Sequence, residues 1–314
     1  MSQLSICIPS YQRAGSLLRL LDSIERAAHA DGVADQIDVV VALDGCNDDS
    51  AARLQLWRTH SAIRLTWRNY PHGGLAATRN RAMADSTGAL ILLCDDDNLI
   101  GPGCLSTHLG HDRGVAVVLM GPSVILDSSD GGITKRWYDE RHRRLAAAGT
   151  VIDPGDFSAA ATSAPRALWQ QYRFDEAYHG YGFEDYDLAA RLLANGVTIG
   201  FVAAAGVTHL HSPSDAERLR QKRGEGANAV RFARTHPELR QRAFAPHPSR
   251  FHRLMRRAAV PVMARPLWWV AQLLAQLRRF APERRRLQIW IRSQELARYS
   301  GVAAAGGFAA IDGA

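Results

Sequence analysis

Short apolar runs alternating with amphipathic helical stretches constrain the first 120 residues more than any other feature. The runs are "LSICI" (4–8), "IDVVVAL" (37–43), "IRLTW" (63–67), "ALILLC" (89–94) and "VAVVLM" (115–120). They are apolar almost throughout, which suits strands covered on both faces rather than strands with one wet side. Between the first two lies "AGSLLRLLDSIERAAHA", with Leu17, Leu18, Leu21 and Ile24 on one helical face. A second helical stretch falls near 48–59, and "GLAATRNRAMADS" forms a third that stops at Gly88. Strands separated by helices pair in parallel, so the pattern predicts an α/β fold class, a mainly parallel sheet covered by helices.

In such sheets ligands bind beyond the carboxyl ends of the strands. That rule puts Pro9–Arg13, Asp44–Asp48 and Asp95–Asp97 on one rim. Three adjacent carboxylates repel one another unless water screens them or a cation sits among them. As a D-x-D pair, Asp95 and Asp97 suit a hard divalent cation that keeps positions open for phosphate; the plainer alternative is a soluble acidic turn. Asp44, in "LDGCNDDS", also reads as simple turn chemistry. In "GYGFEDYDL", Glu184 and Asp185 open a helix, where the dipole favours acids as caps and also keeps a general base ionised. In "VTHLHSP", His209 and His211 share one face near a strand end, and imidazole is a common metal ligand.

At 314 residues the chain can bury a large core, with one large domain and an appendage as the natural division. Residues 121–175 are loop-rich and poorly periodic, with helical pieces near 138–148 and 165–171. The expected division is 1–213 for the α/β domain, in halves 1–120 and 121–213, and 214–314 for a helical, Arg-rich region. Charge is split along the chain: residues 218–298 carry 20 Lys/Arg against 4 Asp/Glu, a local +16, while 1–217 carry 18 against 26. Cys7, Cys46, Cys94 and Cys104 show no C-x-x-C pairing, as expected of reduced thiols in a cytoplasmic protein. "MSQLSICIPSYQR" lacks the basic n-region of a signal peptide.

Five segments, "ICIPSYQRAGSLLRLLDSI", "VALDGCNDDS", "GGLAATRNRAMADSTGALILLCDDDN", "FDEAYHGYGFEDYDLAARLLANG" and "VTHLHSP", occur in the order seen in family-2 glycosyltransferases of the GT-A fold. The chain resembles that family over about residues 3–213. The resemblance implies an inverting, metal-dependent transferase. It would move a sugar from a nucleoside diphosphate donor, UDP-sugars favoured, to a saccharide or lipid-linked acceptor in cell-surface polysaccharide or glycolipid synthesis. It implies Mn2+ or Mg2+ as cofactor, bridging the donor phosphates and relieving the repulsion at Asp95–Asp97. Pro9, Tyr11 and Arg13 would border the nucleotide base and Asp44 would hydrogen-bond it. Arg79 would face the donor and Asp95 the ribose, with Asp96 also donor-binding. Asp97 would hold the metal, with His209 or, less fittingly, His211. Asp185 would be the catalytic base and Glu184 would contact the acceptor. Two departures stand out: Leu43 replaces the first acid of the usual Asp-Asp-Gly-Ser run, and the histidines are spaced more tightly than the common H-x-x-H.

The segment "AAVPVMARPLWWVAQLLAQL" (258–277) is long and apolar, but Arg265, Pro261 and Pro266 argue against a membrane span. With "RRF" and "ERRRLQIWIR" following, it reads either as helices lying on an anionic membrane, Trp268 and Trp269 inserted, or as a packed helical subdomain. The first option makes the protein peripheral on the inner membrane face. No groove-reading element points to nucleic acid. Two rival functions are a sugar-nucleotide nucleotidyltransferase, which should carry a Gly-rich phosphate loop absent from "IPSYQRAGS", and a catalytically inactive binding module, which should lack the acids present here.

Overall fold

The computed structural model describes residues 3–126, 133–210, 213–244 and 250–312. They form two compact units, the first built from residues up to 126 with 133–176 and 185–210, the second from 177–184 and the residues from 213 onward.

The first unit runs β1 (Leu4–Ser10), α1 (Ala14–Ala30), β2 (Ile37–Asp44), α2 (Ser50–His60), β3 (Arg64–Tyr70), α3 (Leu75–Asp85), β4 (Leu90–Cys94), β5 (Asn98–Ile100) and α4 (Cys104–Gly110). It continues with β6 (Val118–Met120), β7 (Ser123–Ile125), α5 (Ile133–Ala148), β8 (Ala161–Pro165), α6 (Arg166–Gln171), α7 (Glu184–Ala194), β9 (Ile199–Phe201) and β10 (Val207–His209). Seven strands make the main sheet in the order β3-β2-β1-β4-β8-β6-β9. Only β8 runs antiparallel to its neighbours, so the expected α/β class with a mainly parallel sheet is what the chain forms.

Burial on both faces explains the apolar runs of β1, β2 and β4, whereas β3 lies at the sheet edge and is largely exposed, against the same expectation. Leu4, Ile6, Ile8, Val39 and Val41 point into one core layer with Leu17, Leu20, Leu21 and Ile24 of α1. Cys7, Val40, Ile91 and Leu93 point into the other, against Ala76 and Met83 of α3 and Leu188 and Leu192 of α7. Leu20 takes a core place on α1, whereas Leu18 is only half-buried. Each fully buried leucine or isoleucine there contributes roughly 1.5–3 kcal/mol.

Two strand expectations shift. The run 115–120 pairs only over Val118–Met120, because the Val115 N–H closes a turn on the Asp112 carbonyl and leaves Val115 exposed. β8, in the loop-rich middle, is a central strand of small residues, "ATSAP", with none of the bulk that signals a strand.

A second sheet, β5-β10-β7, stands at the carboxyl end of β4. Its register sets His209 opposite Asn98, and the Leu210 N–H donates to the Asp97 carbonyl at 2.9 Å. This pairing delivers His209 to the acidic rim.

The second unit is helical: α8 (Asp215–Thr235), α9 (Arg240–Ala243), α10 (Arg250–Ala258), α11 (Ala264–Leu277), α12 (Glu283–Ala304) and α13 (Ala309–Asp312). Ser214 and Glu217 close a capping box at the start of α8. α8 and α12 cross at two glycines: a Cβ on Gly226 would strike the Arg298 carbonyl, and one on Gly301 would strike the Arg223 carbonyl.

Candidate active site

β2, β1 and β4 are adjacent and parallel, so their carboxyl ends form one rim. Pro9 lies buried in β1 opposite Ala42, and Tyr11 and Arg13 follow it beyond the strand. Gln12 between them holds φ +54°, a left-handed conformation costly for a residue with a side chain. Its N–H donates to Cys46 Sγ and its side chain to Asn47 Oδ1, which fixes the turn.

The three aspartates have separate partners within the chain. Asp95 Oδ1 accepts from Arg79 Nη2 at 2.9 Å. Asp96, 6% exposed, accepts from Ser10 Oγ at 2.6 Å. Asp97 Oδ2 accepts from Arg13 Nη1 at 2.7 Å, and its Oδ1 lies 3.5 Å from His209 Nε2. Cations of the chain itself therefore offset the clustered negative charge.

The same partners separate the acidities. Burial pushes Asp96 up to about 7, against the Ser10 hydrogen bond and the Arg13 charge. Burial would raise Asp97 as well, but His209 and Arg13 hold it down at about 2. Burial disfavours the charged form of His209, and Asp97 more than reverses this, so the imidazole titrates above its ordinary value.

Arg79, 2% exposed, also reaches Asp185: its Nη1 donates to Oδ1 at 2.8 Å while the guanidinium lies over the Phe174 ring. The Ala159 N–H donates to Asp185 Oδ2 at 3.0 Å. Burial raises the Asp185 carboxyl above the usual range, and the Arg79 charge and the Ala159 amide restrain the rise. Glu184 is buried at the first position of α7, directly after Phe183, which holds φ +73°.

Asp44 faces a different way. Its oxygens accept from the Gly73 and Gly74 amides at 2.7 and 2.9 Å, and His72 Nδ1 lies 2.9 Å from Oδ2. The exposed Tyr11 ring stacks at a tilt on His72, centroids 4.8 Å apart. Sequence reasoning missed His72, Phe174 and Ala159. The first sits in an aperiodic "YPHGG" turn, and the last contributes only a backbone amide, so neither carried a pattern.

Among the described residues no group of three or more His, Cys, Asp or Glu side chains could hold a metal ion. Asp97 and His209 are an ionised carboxylate beside an imidazole, a two-ligand set that fits a cation whose other positions go to substrate phosphates and water. His211 lies outside the described residues.

Residues 5–159 match the family profile described as "Glycosyl transferase family 2". Validoxylamine A glucosyltransferase from Streptomyces hygroscopicus subsp. jinggangensis (strain 5008) is 24% identical over 268 residues, covering 75% of this chain and 61% of that protein. Its namesake from Streptomyces hygroscopicus subsp. limoneus is also 24% identical, covering 75% and 57%. The chain thus spans about three fifths of the length of the curated relatives it matches. Among solved structures, S. aureus TarS 1-349 in complex with UDP-GlcNAc aligns with a TM-score of 0.58 at 15% identity, covering 96% of this chain and 90% of that one. Mannosyltransferase PcManGT from Pyrobaculum calidifontis, in complex with GDP-Man and Mn2+, aligns at 0.59 and 18% identity, covering 96% and 86%. At such identities the likeness is one of fold. The matched span runs from β1 to the residue donating its amide to Asp185, so residues 5–159 belong to glycosyl transferase family 2, in a chain that carries the GT-A fold.

Proposed function

We propose that the protein transfers a sugar from a nucleoside diphosphate donor to an acceptor hydroxyl, with inversion at the anomeric carbon. The observation that carries this reading is the bridge Asp95–Arg79–Asp185, in which one buried guanidinium ties the carboxylates beyond β4 to the carboxylate opening α7. The acceptor oxygen bonds to the anomeric carbon as the bond from that carbon to the diphosphate oxygen breaks, and the nucleoside diphosphate leaves with the electron pair. Asp185 receives the hydroxyl proton. Burial makes it a stronger base than a free carboxylate, and the Arg79 charge restrains that rise. Glu184 contacts the acceptor beside it. One displacement suffices, with no covalent intermediate.

On the donor side, Tyr11 with His72 offers a stacking surface for the base, bordered by Pro9 and Arg13. Asp95 takes the ribose, with Asp96 behind it, and Asp44 acts on the base from the Gly73–Gly74 turn it fixes. Asp97 and His209 would hold Mn2+ or Mg2+, which supplies Lewis-acid stabilisation of the departing diphosphate. The likeness to TarS, solved with UDP-GlcNAc, supports a uridine donor, and PcManGT, solved with GDP-Man and Mn2+, supports testing guanosine donors beside it. The acceptor is a saccharide or lipid-linked sugar of a cell-surface polymer or glycolipid, glycosylated on the cytoplasmic side.

A thermal-shift panel of UDP- and GDP-sugars with Mn2+ tests this. A cognate donor raises Tm by mass action, and labelled donor turns over in the wild type but not in Asp185→Asn. A panel that leaves Tm unchanged, with no turnover of any donor, overturns the reading.

A further inference from the structure

The geometry points to a membrane-docking face on α11, one that seats in the interfacial layer of an anionic phospholipid bilayer. α11 is apolar on two sides. Its inner side buries Ala264, Leu267 and Ala271. Its outer side exposes Trp269 (69%), Val270 (45%), Leu273 (53%) and Leu277 (47%), and Phe280 (74%) extends the stripe into the next turn. At about 100° per residue these five positions fall within an arc of roughly 100°, so they form one continuous stripe. An exposed apolar stripe of this size on a charged helical unit marks an interaction surface.

The occupant follows from charge. Arg265 and Arg279 are exposed along one edge of the stripe, and Arg253, Arg256 and Arg257 are exposed on α10. The surrounding 218–298 segment carries 20 Lys/Arg against 4 Asp/Glu, so a second copy of the chain would bring a like-charged surface against this one. An anionic bilayer presents the opposite sign together with an apolar layer beneath it.

Spanning is a poorer fit. No single described helix is long and apolar enough to cross a membrane, and α11 with the turn after it joins α10 only through a bend of 106°. The expected tryptophan pair also divides. Trp269 faces outward, whereas Trp268 is half-buried with the Arg223 guanidinium 5.2 Å from its ring, so only Trp269 belongs to the docking face. Arg278 is likewise turned inward, onto Trp290 and Asp215.

Flotation of the full chain with phosphatidylglycerol/phosphatidylcholine vesicles and with pure phosphatidylcholine vesicles tests the inference. Binding should require the anionic lipid and weaken as salt rises. It should fall at least tenfold in Trp269→Ser/Phe280→Ser and stay unchanged in Trp268→Phe. Wild-type tryptophan emission should shift blue on binding, and Trp269→Phe should lose that shift while still floating. Sedimentation velocity without lipid should show a monomer. Equal flotation with neutral vesicles, full binding by the double variant, or a lipid-free dimer that the double variant dissociates would each overturn it. Nucleotide-sugar affinity, measured on the same variants, should not move, so this result stands apart from the glycosyl-transfer reading.

Discussion

Arg79 and Asp185 lie 106 positions apart in sequence, yet Arg79 Nη1 donates to Asp185 Oδ1 across 2.8 Å. Arg79 holds a second carboxylate, Asp95, with its other terminal nitrogen. A planar guanidinium reaches both; an ammonium, a point charge on a flexible stem, does not hold two fixed directions at once.

Replacing Arg79 by Lys should therefore cost more than its charge suggests. With Asp185 free to shift by an ångström, kcat should fall about 10²-fold. Arg79→Met removes the charge that restrains the Asp185 carboxyl, so the acid limb of the pH–rate profile should move to higher pH. It should also cost roughly 3–5 kcal/mol of stability, because two partly buried carboxylates lose their partner. Steady-state kinetics and urea melts of both variants check these outcomes.

Asp185→Asn keeps the shape and the Arg79 contact but removes the proton acceptor. Turnover should drop by about 10²–10⁴-fold with donor affinity unchanged by calorimetry. Loss of donor binding with turnover intact at saturation would assign Asp185 another role.

Asp97→Ala should abolish metal-dependent donor binding, and His209→Ala should weaken it, both with far-UV circular dichroism unchanged. EDTA should stop wild-type turnover, and added Mn2+ should restore it. Full activity in EDTA would remove Asp97 and His209 from any metal role.

A stability effect at mild acidity is expected from His108, which is fully buried, with Nδ1 bonded to Ser163 Oγ and Nε2 to the Ala205 carbonyl. Burial, and then the nearby Arg113 and His111 charges, hold its folded pKa down at about 3, against 6.5 for an ordinary histidine. As pH falls below 6.5 the unfolded chain takes the proton first, so stability is complete above that value and drains away toward pH 3. The loss approaches roughly 4 kcal/mol over that window. Chemical denaturation of wild type and His108→Gln between pH 7 and 4 should show a smaller pH-dependent loss in the variant.

The parallel half of the fold was legible because its strands are buried on both faces, which writes hydrophobicity into consecutive residues such as Val39, Val40 and Val41. β8 was not, since its Ala161, Ser163 and Ala164 are small residues whose burial depends on the strands either side. In the site, each acid and His209 announced itself by position at a strand or helix end, whereas Arg13 and Arg79 came in only through the family resemblance. Arg79 sits inside an ordinary helix, and nothing local marks it as the link between Asp95 and Asp185. The repulsion inferred for the triplet was real chemistry with an incomplete answer, because Arg13, Arg79 and His209 already meet it from within the chain.

The crossing of α8 and α12 at Gly226 and Gly301 has a consequence for how this chain can change over generations. Each glycine yields to the main chain of the opposite helix, so a side chain gained at either one pushes on atoms that no substitution can trim. A second change cannot repair the first from across the contact, as it can where one side chain meets another. Drift at this crossing is blocked one step at a time, and the helices around it can diversify only by leaving those two positions bare.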